Sequence, residues 1–237
     1  MKIGIIQTRG MGDIIIALPI AKFFSDSGNE VFWPIDEDFI SSFREAVPWV
    51  NWIAVPKNAK DFFYQTPLDL LTDVGVEDAV ILYSYLSSHL DLPNKLLQGV
   101  LKFDQYKYAI SNVPFSKKWD LDNCLHRNFS RENELFSHLV KQEKYMVVHQ
   151  VGSDKTKKFT LDGARENGYQ IIEISEITDS IFDWLKILEN AKALVLVDSV
   201  FSNLVEQLGI GREIPKYFGI RSNVALTPVL LGNWHYV

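Results

Sequence analysis

A glycine-rich turn near the start of the chain holds the first residues that could do chemistry. It runs from Thr8 to Asp13 and contains Arg9, Gly10 and Gly12. Glycine lets a ligand approach the backbone closely, and the first amides of a following helix attract anions. The spacing is not that of a complete dinucleotide fingerprint or phosphate-binding loop. Asp13 therefore has two interpretations: a carboxylate that caps the following helix, or a base at a ligand site.

Two polar segments in the second half of the chain could bind an anion. The segment 149–159 carries lysines that could neutralise a diphosphate as point charges. The segment 197–203 follows an apolar run and begins a helix, where amides and hydroxyls bind phosphate. Each has a plain structural explanation too: a solvated basic loop, and a helix cap that stabilises by about 1 kcal/mol. The candidate anion-binding residues are Gly152, Ser153, Lys157, Asp198, Ser199, Ser202 and Asn203.

Short apolar runs that alternate with helical patterns must position these segments. This alternation predicts an α/β fold with parallel sheets. Ligands of such sheets bind beyond the carboxyl ends of the strands, which is where the three polar segments fall. The predicted strands are 2–7, 30–34, 51–55, 78–84, 145–149, 169–174, 193–197 and 215–219, the predicted helices are 13–27, 87–102, 129–143, 181–188 and 200–208, and 111–124 is predicted to be a loop.

Composition and charge exclude several classes of protein. The chain has 237 residues, a formal charge of −6 and 47% hydrophobic residues, which is typical of one large or two compact globular domains. The negative charge argues against a nucleic-acid partner. Cys124 is the single cysteine, so neither an internal disulfide nor a cysteine-based zinc site can form. No secretion signal or membrane-length apolar stretch is evident, and we expect a cytoplasmic protein.

Taken together, the three segments resemble the ADP-heptose:lipopolysaccharide heptosyltransferases of glycosyltransferase family 9. Met11-Gly12-Asp13, followed by an apolar stretch that ends in Leu18-Pro19, matches the family's N-terminal signature. The loop after His149 resembles the family's His-Pro-Gly-Ala loop and its basic-aromatic trio, here Lys157-Lys158-Phe159. Asp198-Ser199 stands where the family has Asp-Thr/Ser-Gly-x-x-His. The resemblance runs nearly end to end.

The resemblance implies a GT-B architecture, in which two Rossmann-like domains face a central cleft. It implies an acceptor domain at 1–127, an interdomain helix and hinge at 128–143, and a nucleotide-sugar donor domain at 144–237. The implied activity is inverting transfer of a sugar from a nucleotide diphosphate sugar to a glycan or lipid-linked acceptor, with no metal or other cofactor. A lipid-linked acceptor would bring contact with a membrane surface. The sequence leaves the oligomeric state, the sugar and the nucleotide base undetermined.

The resemblance also implies roles for individual residues. Asp13 would be the general base that takes the proton of the acceptor hydroxyl. Lys157 would neutralise the donor diphosphate as the leaving group gains charge. Asp198, Ser199 and the helix amides after them would hold the donor's phosphate or sugar. The residues on the acceptor side would be Thr8, Arg9, Gly10 and Gly12.

Departures from the family pattern keep two alternatives open. Val200 stands in place of a glycine, Asn203 in place of a histidine and Gln150 in place of a proline. The stretch 159–181 has one predicted strand, where a full donor domain has more. These departures favour a relative that binds a nucleotide or glycan without turnover. A nucleotide-sugar epimerase or hydrolase is the other alternative, with His149, Asp154 and Glu173 as candidate acid–base groups.

Overall fold

The structure is a computed structural model that describes residues 1–83, 100–153, 155–221 and 227–237. The described chain divides into two compact units. One comprises Met1–His126 together with residues 227–229, and the other comprises residues 127–221 and Leu230–Val237. Each unit is built on its own parallel sheet. The sequence prediction of an α/β fold with two parallel sheets is therefore confirmed.

The first unit contains a four-stranded sheet in the order β3-β2-β1-β4, with all strands parallel. Its core lies along the central strands β1 and β2, whose side chains are mostly buried, while β3 and β4 at the two edges are more exposed. The strands are β1 (Lys2–Ile6), β2 (Glu30–Asp36), β3 (Asn51–Val55) and β4 (Asp78–Ile81), and the helices are α1 (Met11–Asp26), α2 (Ile40–Ala46), α3 (Gln65–Asp73) and α4 (Phe103–Ile110).

Helix α1 follows β1 directly and is the most deeply buried helix of this unit. All eight residues from Ile14 to Ala21 are buried, so the helix packs through its whole apolar stretch rather than through a narrow stripe. It begins at Met11, and Gly10 occupies the N-cap position with no side-chain hydrogen bond. Asp13 lies in the first turn. The interpretation of Asp13 as the helix cap is therefore wrong.

A fully buried ion pair fastens residues 227–229 to the first unit. Lys118 and Asp104 have fully buried side chains, and Lys118 Nζ lies 2.7 Å from Asp104 Oδ2. Lys118 Nζ also donates to the Val229 carbonyl at 2.6 Å, and the Val229 amide donates to Asp104 Oδ2 at 2.8 Å. Lys102 Nζ donates to the Thr227 carbonyl at 3.0 Å. Burial of both charges is tolerated because each has an opposite charge and backbone partners.

The second unit contains a five-stranded parallel sheet in the order β6-β5-β7-β8-β9. β5 and β7 are buried at every residue, as expected for neighbouring strands inside a parallel sheet. The strands are β5 (Tyr145–His149), β6 (Gln170–Glu173), β7 (Ala193–Val197), β8 (Lys216–Gly219) and β9 (Trp234–Tyr236), and the helices are α5 (Phe129–Leu139), α6 (Asp162–Glu166), α7 (Leu185–Asn190) and α8 (Val200–Gln207).

Most of the predicted strands and helices form, and several segments differ from the prediction in type or in bounds. The stretch 111–124 is not a plain loop, because it contains 3-10 turns at Phe115–Trp119 and Leu121–Cys124. Helix α5 ends at Leu139, four residues before the predicted end. The predicted helix 87–102 falls mainly outside the described residues. The sequence did not predict α2, α3, α4, α6 or β9.

Candidate functional site

Gly10 and Asp13 form a tight turn at the carboxyl end of β1. Gly10 has a φ of 79°, a region that favours glycine, and a Cβ placed on it would lie 2.5 Å from Asp13 Oδ2. The turn therefore requires glycine for both its backbone conformation and the space beside the carboxylate. The Asp13 side chain is 38% exposed, so solvent reaches it although the helix that carries it is buried.

A buried lysine holds the Asp13 carboxylate. Lys107 on α4 is 4% exposed, and its Nζ lies 3.0 Å from Asp13 Oδ1. Lys107 Nζ also donates to Gln7 Oε1 and, at 3.2 Å, to the Leu82 carbonyl. Among the described residues, Asp13 Oδ2 has no hydrogen-bond partner. One carboxylate oxygen is thus fixed by a buried cation, and the other remains for a proton or a hydroxyl.

The Tyr83 hydroxyl organises the turn before Gly10. It accepts hydrogen bonds from the Thr8 and Arg9 amides at 2.7 and 2.8 Å. Thr8 Oγ1 donates to the Phe62 carbonyl at 2.9 Å, so the Tyr83 hydroxyl donates its proton to Thr8 Oγ1 at 2.7 Å. Burial raises the pKa of Tyr83 to about 12. The phenol therefore stays protonated and fixes the backbone that leads to Asp13.

Arg9 is the exposed cation of this edge. Its side chain is 49% exposed, with Nε 3.4 Å from Asp36 Oδ2 at the end of β2. The guanidinium lies 4.3 Å from the centroid of the Phe62 ring. Arg9 thus lies over an aromatic ring beside the strand ends, while Thr8 is fully buried and Gly12 is partly exposed. Among the predicted acceptor-side residues, the Arg9 side chain is exposed to solvent, where a ligand could contact its charge. Thr8 is buried and bonds to the Phe62 carbonyl, so its role is structural.

The loop after β5 is a closed turn at the carboxyl edge of the second sheet. An antiparallel bridge joins Val151 to Thr156. The Gly152 amide donates to the Lys155 carbonyl at 2.8 Å, and the Lys157 amide donates to the Gln150 carbonyl at 2.9 Å. These bonds join residues 150–152 to residues 155–157 beyond the strand end. Asp154 lies outside the described residues.

His149 and Ser199 meet at this edge because β5 and β7 are neighbours in the sheet. His149 Nδ1 lies 2.9 Å from Ser199 Oγ, and the imidazole packs edge-on against Phe201 with the ring centroids 4.8 Å apart. His149 is 8% exposed, and burial lowers its pKa to about 4, while the charge of Glu173 opposes this shift. At neutral pH, His149 is therefore an uncharged imidazole that orients Ser199.

The first turn of α8 uses its polar side chains internally. Ser202 Oγ accepts from the Ser199 amide at 3.0 Å and donates to the Ser199 carbonyl at 2.8 Å. Asn203 Nδ2 also donates to that carbonyl, at 3.0 Å. Asn203 is 4% exposed, and its Oδ1 has no partner among the described residues. Ser202 and Asn203 thus stabilise the start of the helix, whereas Ser199 and Asp198 precede it and are partly exposed.

A single arginine links the ends of three neighbouring strands. Arg221, just beyond β8, donates from Nη1 to Ser153 Oγ at 2.8 Å, and its Nη2 lies 3.9 Å from Asp198 Oδ2 beyond β7. The Asp198 amide donates to the Gly219 carbonyl at 2.9 Å. Gly152, Ser153, Asp198 and Ser199 are thereby brought to one edge, as the sequence indicated.

Lys157 lies at the same edge of the second sheet, and its ammonium group bonds to backbone carbonyls. Its Nζ donates to the Ile220 carbonyl at 3.4 Å and to the Val237 carbonyl. Phe159, two residues later, packs against Gly219, where an added Cβ would lie 2.6 Å from the ring. Glu173, the other acid–base candidate, is exposed and accepts from Gln150 Nε2 at 2.8 Å.

Sequence reasoning did not single out Lys107, Tyr83 or Arg221. Lys107 and Tyr83 lie far along the chain from Asp13, and no local pattern connects them. A lysine inside a helix is usually solvated, so only its burial in the fold marks Lys107 as unusual. Arg221 follows a predicted strand, and this position at the carboxyl end of β8 was the one signal that could have found it.

The depressed pKa of His149 predicts a loss of stability in acid. Its pKa is about 6.5 in the unfolded chain and about 4 in the folded protein, so the unfolded state binds more protons between these pH values. Stability therefore falls as the pH drops from 6.5 to 4, by about 2–3 kcal/mol. Urea unfolding at several pH values measures this loss. His149→Gln should make the free energy of unfolding less dependent on pH. His138→Gln removes an exposed imidazole and should not change this pH dependence. Equal pH dependence in the wild type and both variants would contradict the assignment of the loss to His149.

No helix within the described ranges is long and apolar enough to cross a membrane. Among the same residues, no group of three or more His, Cys, Asp and Glu side chains is placed to hold a metal ion.

Two α/β units with parallel sheets, each with polar side chains at its carboxyl edge, are the components of the GT-B class of fold. Solved structures share this fold. A family 9 glycosyltransferase from Veillonella parvula matches with a TM-score of 0.63 at 12% identity, over 100% of this chain and 86% of its own. The ADP-heptose lipopolysaccharide heptosyltransferase II of E. coli matches with a TM-score of 0.55 at 13% identity, over 100% and 90%.

The E. coli heptosyltransferase WaaC, solved with ADP-2-deoxy-2-fluoro heptose, matches with a TM-score of 0.53 at 14% identity, over 100% of this chain and 93% of its own. No protein-family model and no curated protein sequence matches the chain. The chain therefore has the fold of the heptosyltransferases. At 12–14% sequence identity this likeness shows the fold and does not show the substrate. The resemblance inferred from the three sequence segments is confirmed at that level.

Proposed function

We propose that this protein is an inverting, metal-independent glycosyltransferase that moves a sugar from a nucleotide diphosphate sugar to a glycan or lipid-linked acceptor. The observation that carries the proposal is the Asp13 carboxylate, which is partly exposed at the carboxyl edge of a sheet and held by a buried lysine. The glycosyltransferase fold supports the same reading.

The environment of Asp13 suits a general base. Lys107 holds Oδ1, while Oδ2 is the oxygen that would accept the proton of the acceptor hydroxyl. The acceptor oxygen would attack the anomeric carbon as its proton passes to Asp13, and the bond from that carbon to the nucleoside diphosphate would break. This single displacement inverts the configuration at the carbon. The nearby Arg9 guanidinium, held against Phe62, would bind an acidic or hydroxyl-rich acceptor.

The second sheet edge would bind the donor. Gly152 and Ser153 follow β5, and Asp198 and Ser199 follow β7 at the start of α8. Arg221, beyond β8, donates to Ser153 and lies 3.9 Å from Asp198. Backbone amides, a hydroxyl and a positive charge at a helix start suit a diphosphate, and they stabilise the charge that develops on the leaving group without a metal ion. No bound cofactor is needed for this chemistry.

One observation favours the second candidate, a protein that binds a nucleotide or glycan without turnover. Asn203 stands where the related family has a histidine, and its amide is committed to the Ser199 carbonyl in a buried position. A donor contact made by that histidine would be missing here. Such a protein would bind a nucleotide sugar and leave it intact, so measuring consumption of the bound ligand separates the two candidates.

A ligand screen by thermal unfolding tests the proposed function. The panel contains ADP-, GDP- and UDP-sugars and the three free nucleoside diphosphates. A ligand at a hundredfold excess over its dissociation constant stabilises the folded protein by about 2.7 kcal/mol, which gives a clear rise in Tm. We expect one nucleotide series to stabilise the protein and its sugar to be released or transferred. No stabilisation by any member at millimolar concentration would contradict both candidates.

A further inference from the structure

We infer that Lys107 and Gln7 are positioning residues for the base of the transfer reaction, and that both act through Asp13. This inference rests on the proposed function and adds the two side chains that keep its base in place. Both residues are buried, with 4% of Lys107 and 1% of Gln7 exposed. Because neither side chain is open to solvent, an effect on an acceptor hydroxyl has to pass through an exposed group.

The Lys107 ammonium is held by acceptors at the ends of two neighbouring strands. Its Nζ donates to Gln7 Oε1, just beyond β1, and at 3.2 Å to the Leu82 carbonyl, just beyond β4. β1 and β4 are paired in the sheet, so both acceptors reach one ammonium. An ammonium has three N–H donors and no acceptor, and two neutral oxygens take two of them. The sheet therefore fixes the positive charge, and Asp13 on α1 meets it at 3.0 Å.

The Gln7 side chain has one orientation that satisfies both of its neighbours. Its Oε1 accepts from Lys107 Nζ, and its Nε2 donates to the Arg9 carbonyl at 2.8 Å. The reverse orientation would set an amide N–H against an ammonium and an oxygen against a carbonyl. Gln7 therefore connects the buried cation to the backbone of Arg9, the residue before Gly10.

The Gly10 turn is thus held from both sides. Before Gly10, the Gln7 amide bonds to the Arg9 carbonyl. After it, the Lys107 ammonium lies 3.0 Å from Asp13 Oδ1. Space in the turn is small, because a Cβ added to Gly10 would lie 2.5 Å from Asp13 Oδ2. A shift of the turn would move the carboxylate, and a displacement of about 1 Å at a reacting group costs about 10²-fold in rate.

The same contacts suit a base that loses its charge during the reaction. In the proposed transfer, the acceptor proton moves to Asp13 while the acceptor oxygen bonds to the anomeric carbon, and the nucleoside diphosphate leaves with the electron pair of the broken bond. A buried lysine held by that carboxylate alone would then lose its only partner. Lys107 keeps the Gln7 oxygen and the Leu82 carbonyl as acceptors. The ammonium therefore stays in place while Asp13 carries the proton.

Kinetics of single and double variants test the inference. The reaction measured is release of nucleoside diphosphate from the ADP-, GDP- and UDP-sugars of the thermal screen, with glycerol as the acceptor. We expect Lys107→Met to lower kcat by about 10- to 100-fold and Gln7→Leu by about 3- to 10-fold, with KM for the nucleotide sugar within about threefold. Added to Asp13→Asn, which already lacks the base, Lys107→Met should lower the remaining rate by less than about twofold. A residue that only supports the fold would lower the rate by the same factor with and without the Asp13 carboxylate.

Lys22→Met is the matched control. Lys22 also pairs with a carboxylate of α1, that of Asp26, but on the surface, so its replacement should change neither kcat nor KM. Circular dichroism and urea unfolding establish that each variant is folded in the assay. If Lys107→Met does not fold, Gln7→Leu with and without Asp13→Asn gives the same comparison.

The outcomes separate this inference from the proposed function. If the wild type releases diphosphate and the Lys107 and Gln7 variants match its kcat, the inference is overturned and the proposed function stands. The same holds if Lys107→Met costs an equal factor with and without the Asp13 carboxylate. If the wild type releases no diphosphate from any of these sugars, or if Asp13→Asn matches the wild type, both are overturned.

Discussion

Replacing Asp13 by Asn should lower sugar transfer by about 10²- to 10⁴-fold, because the general base is lost while its shape is kept. The amide cannot take the acceptor proton, and its oxygen can still lie beside Lys107 as Oδ1 does, 3.0 Å from Nζ. Donor affinity should remain within about threefold, since the donor would bind at the other sheet edge. Steady-state transfer rates and calorimetric donor titrations measure the two quantities on the same protein.

Asp26→Asn is the matched control for Asp13→Asn. Asp26 is the last residue of the same helix and pairs with Lys22 on the surface. It lies about 20 Å from Asp13 along the helix axis, so its replacement should leave transfer unchanged. Equal turnover by wild type and Asp13→Asn would remove Asp13 from the mechanism. Equal losses in both variants would mean that a charge on α1, rather than a base at its start, matters.

Replacing Lys118 by Met should destabilise the folded protein by about 3–5 kcal/mol. The substitution leaves the fully buried Asp104 carboxylate without its cation, and it removes the 2.6 Å bond to the Val229 carbonyl. Urea unfolding followed by tryptophan fluorescence and circular dichroism measures the change. The double variant Asp104→Leu/Lys118→Met removes both charges, and it should recover a substantial part of the lost stability.

The adjacent lysine gives a matched control for this prediction. Lys117 is exposed and pairs with Asp120 on the surface at 2.8 Å, so Lys117→Met should leave the unfolding midpoint unchanged. A midpoint for Lys118→Met that equals that of Lys117→Met would contradict the account of a buried pair. A double variant no more stable than Lys118→Met would show that the buried charge is not the cause.

The strands could be predicted where burial leaves little choice of residue. β3, β5 and β7 have the predicted bounds because each is a five-residue apolar or aromatic-rich run between polar turns. Helix α3 was missed because it contains Pro67 and buries only that residue and Leu71, which gives a weak helical period. β9 has three residues, too few for an alternation to be recognised.

The candidate site could be predicted in its parts but not in its contacts. Gly10 and Asp13 were found because a glycine-bearing turn at a strand end is a local pattern. The pairing of His149 with Ser199 depends on β5 lying beside β7, and strand order is not written in either segment. Lys107 reaches Asp13 through the packing of α4. Such long-range neighbours follow from the fold, and short motifs do not encode them.

The stereochemistry of the transferred sugar tests the central claim most directly. Proton NMR of the first product, formed from the nucleotide sugar that stabilises the protein and a glycan acceptor, reads the anomeric configuration from its coupling constant. A base at Asp13 and one direct attack predict a product whose anomeric configuration is opposite to that of the donor, formed by wild type and not by Asp13→Asn. A product that retains the donor's configuration would contradict the account.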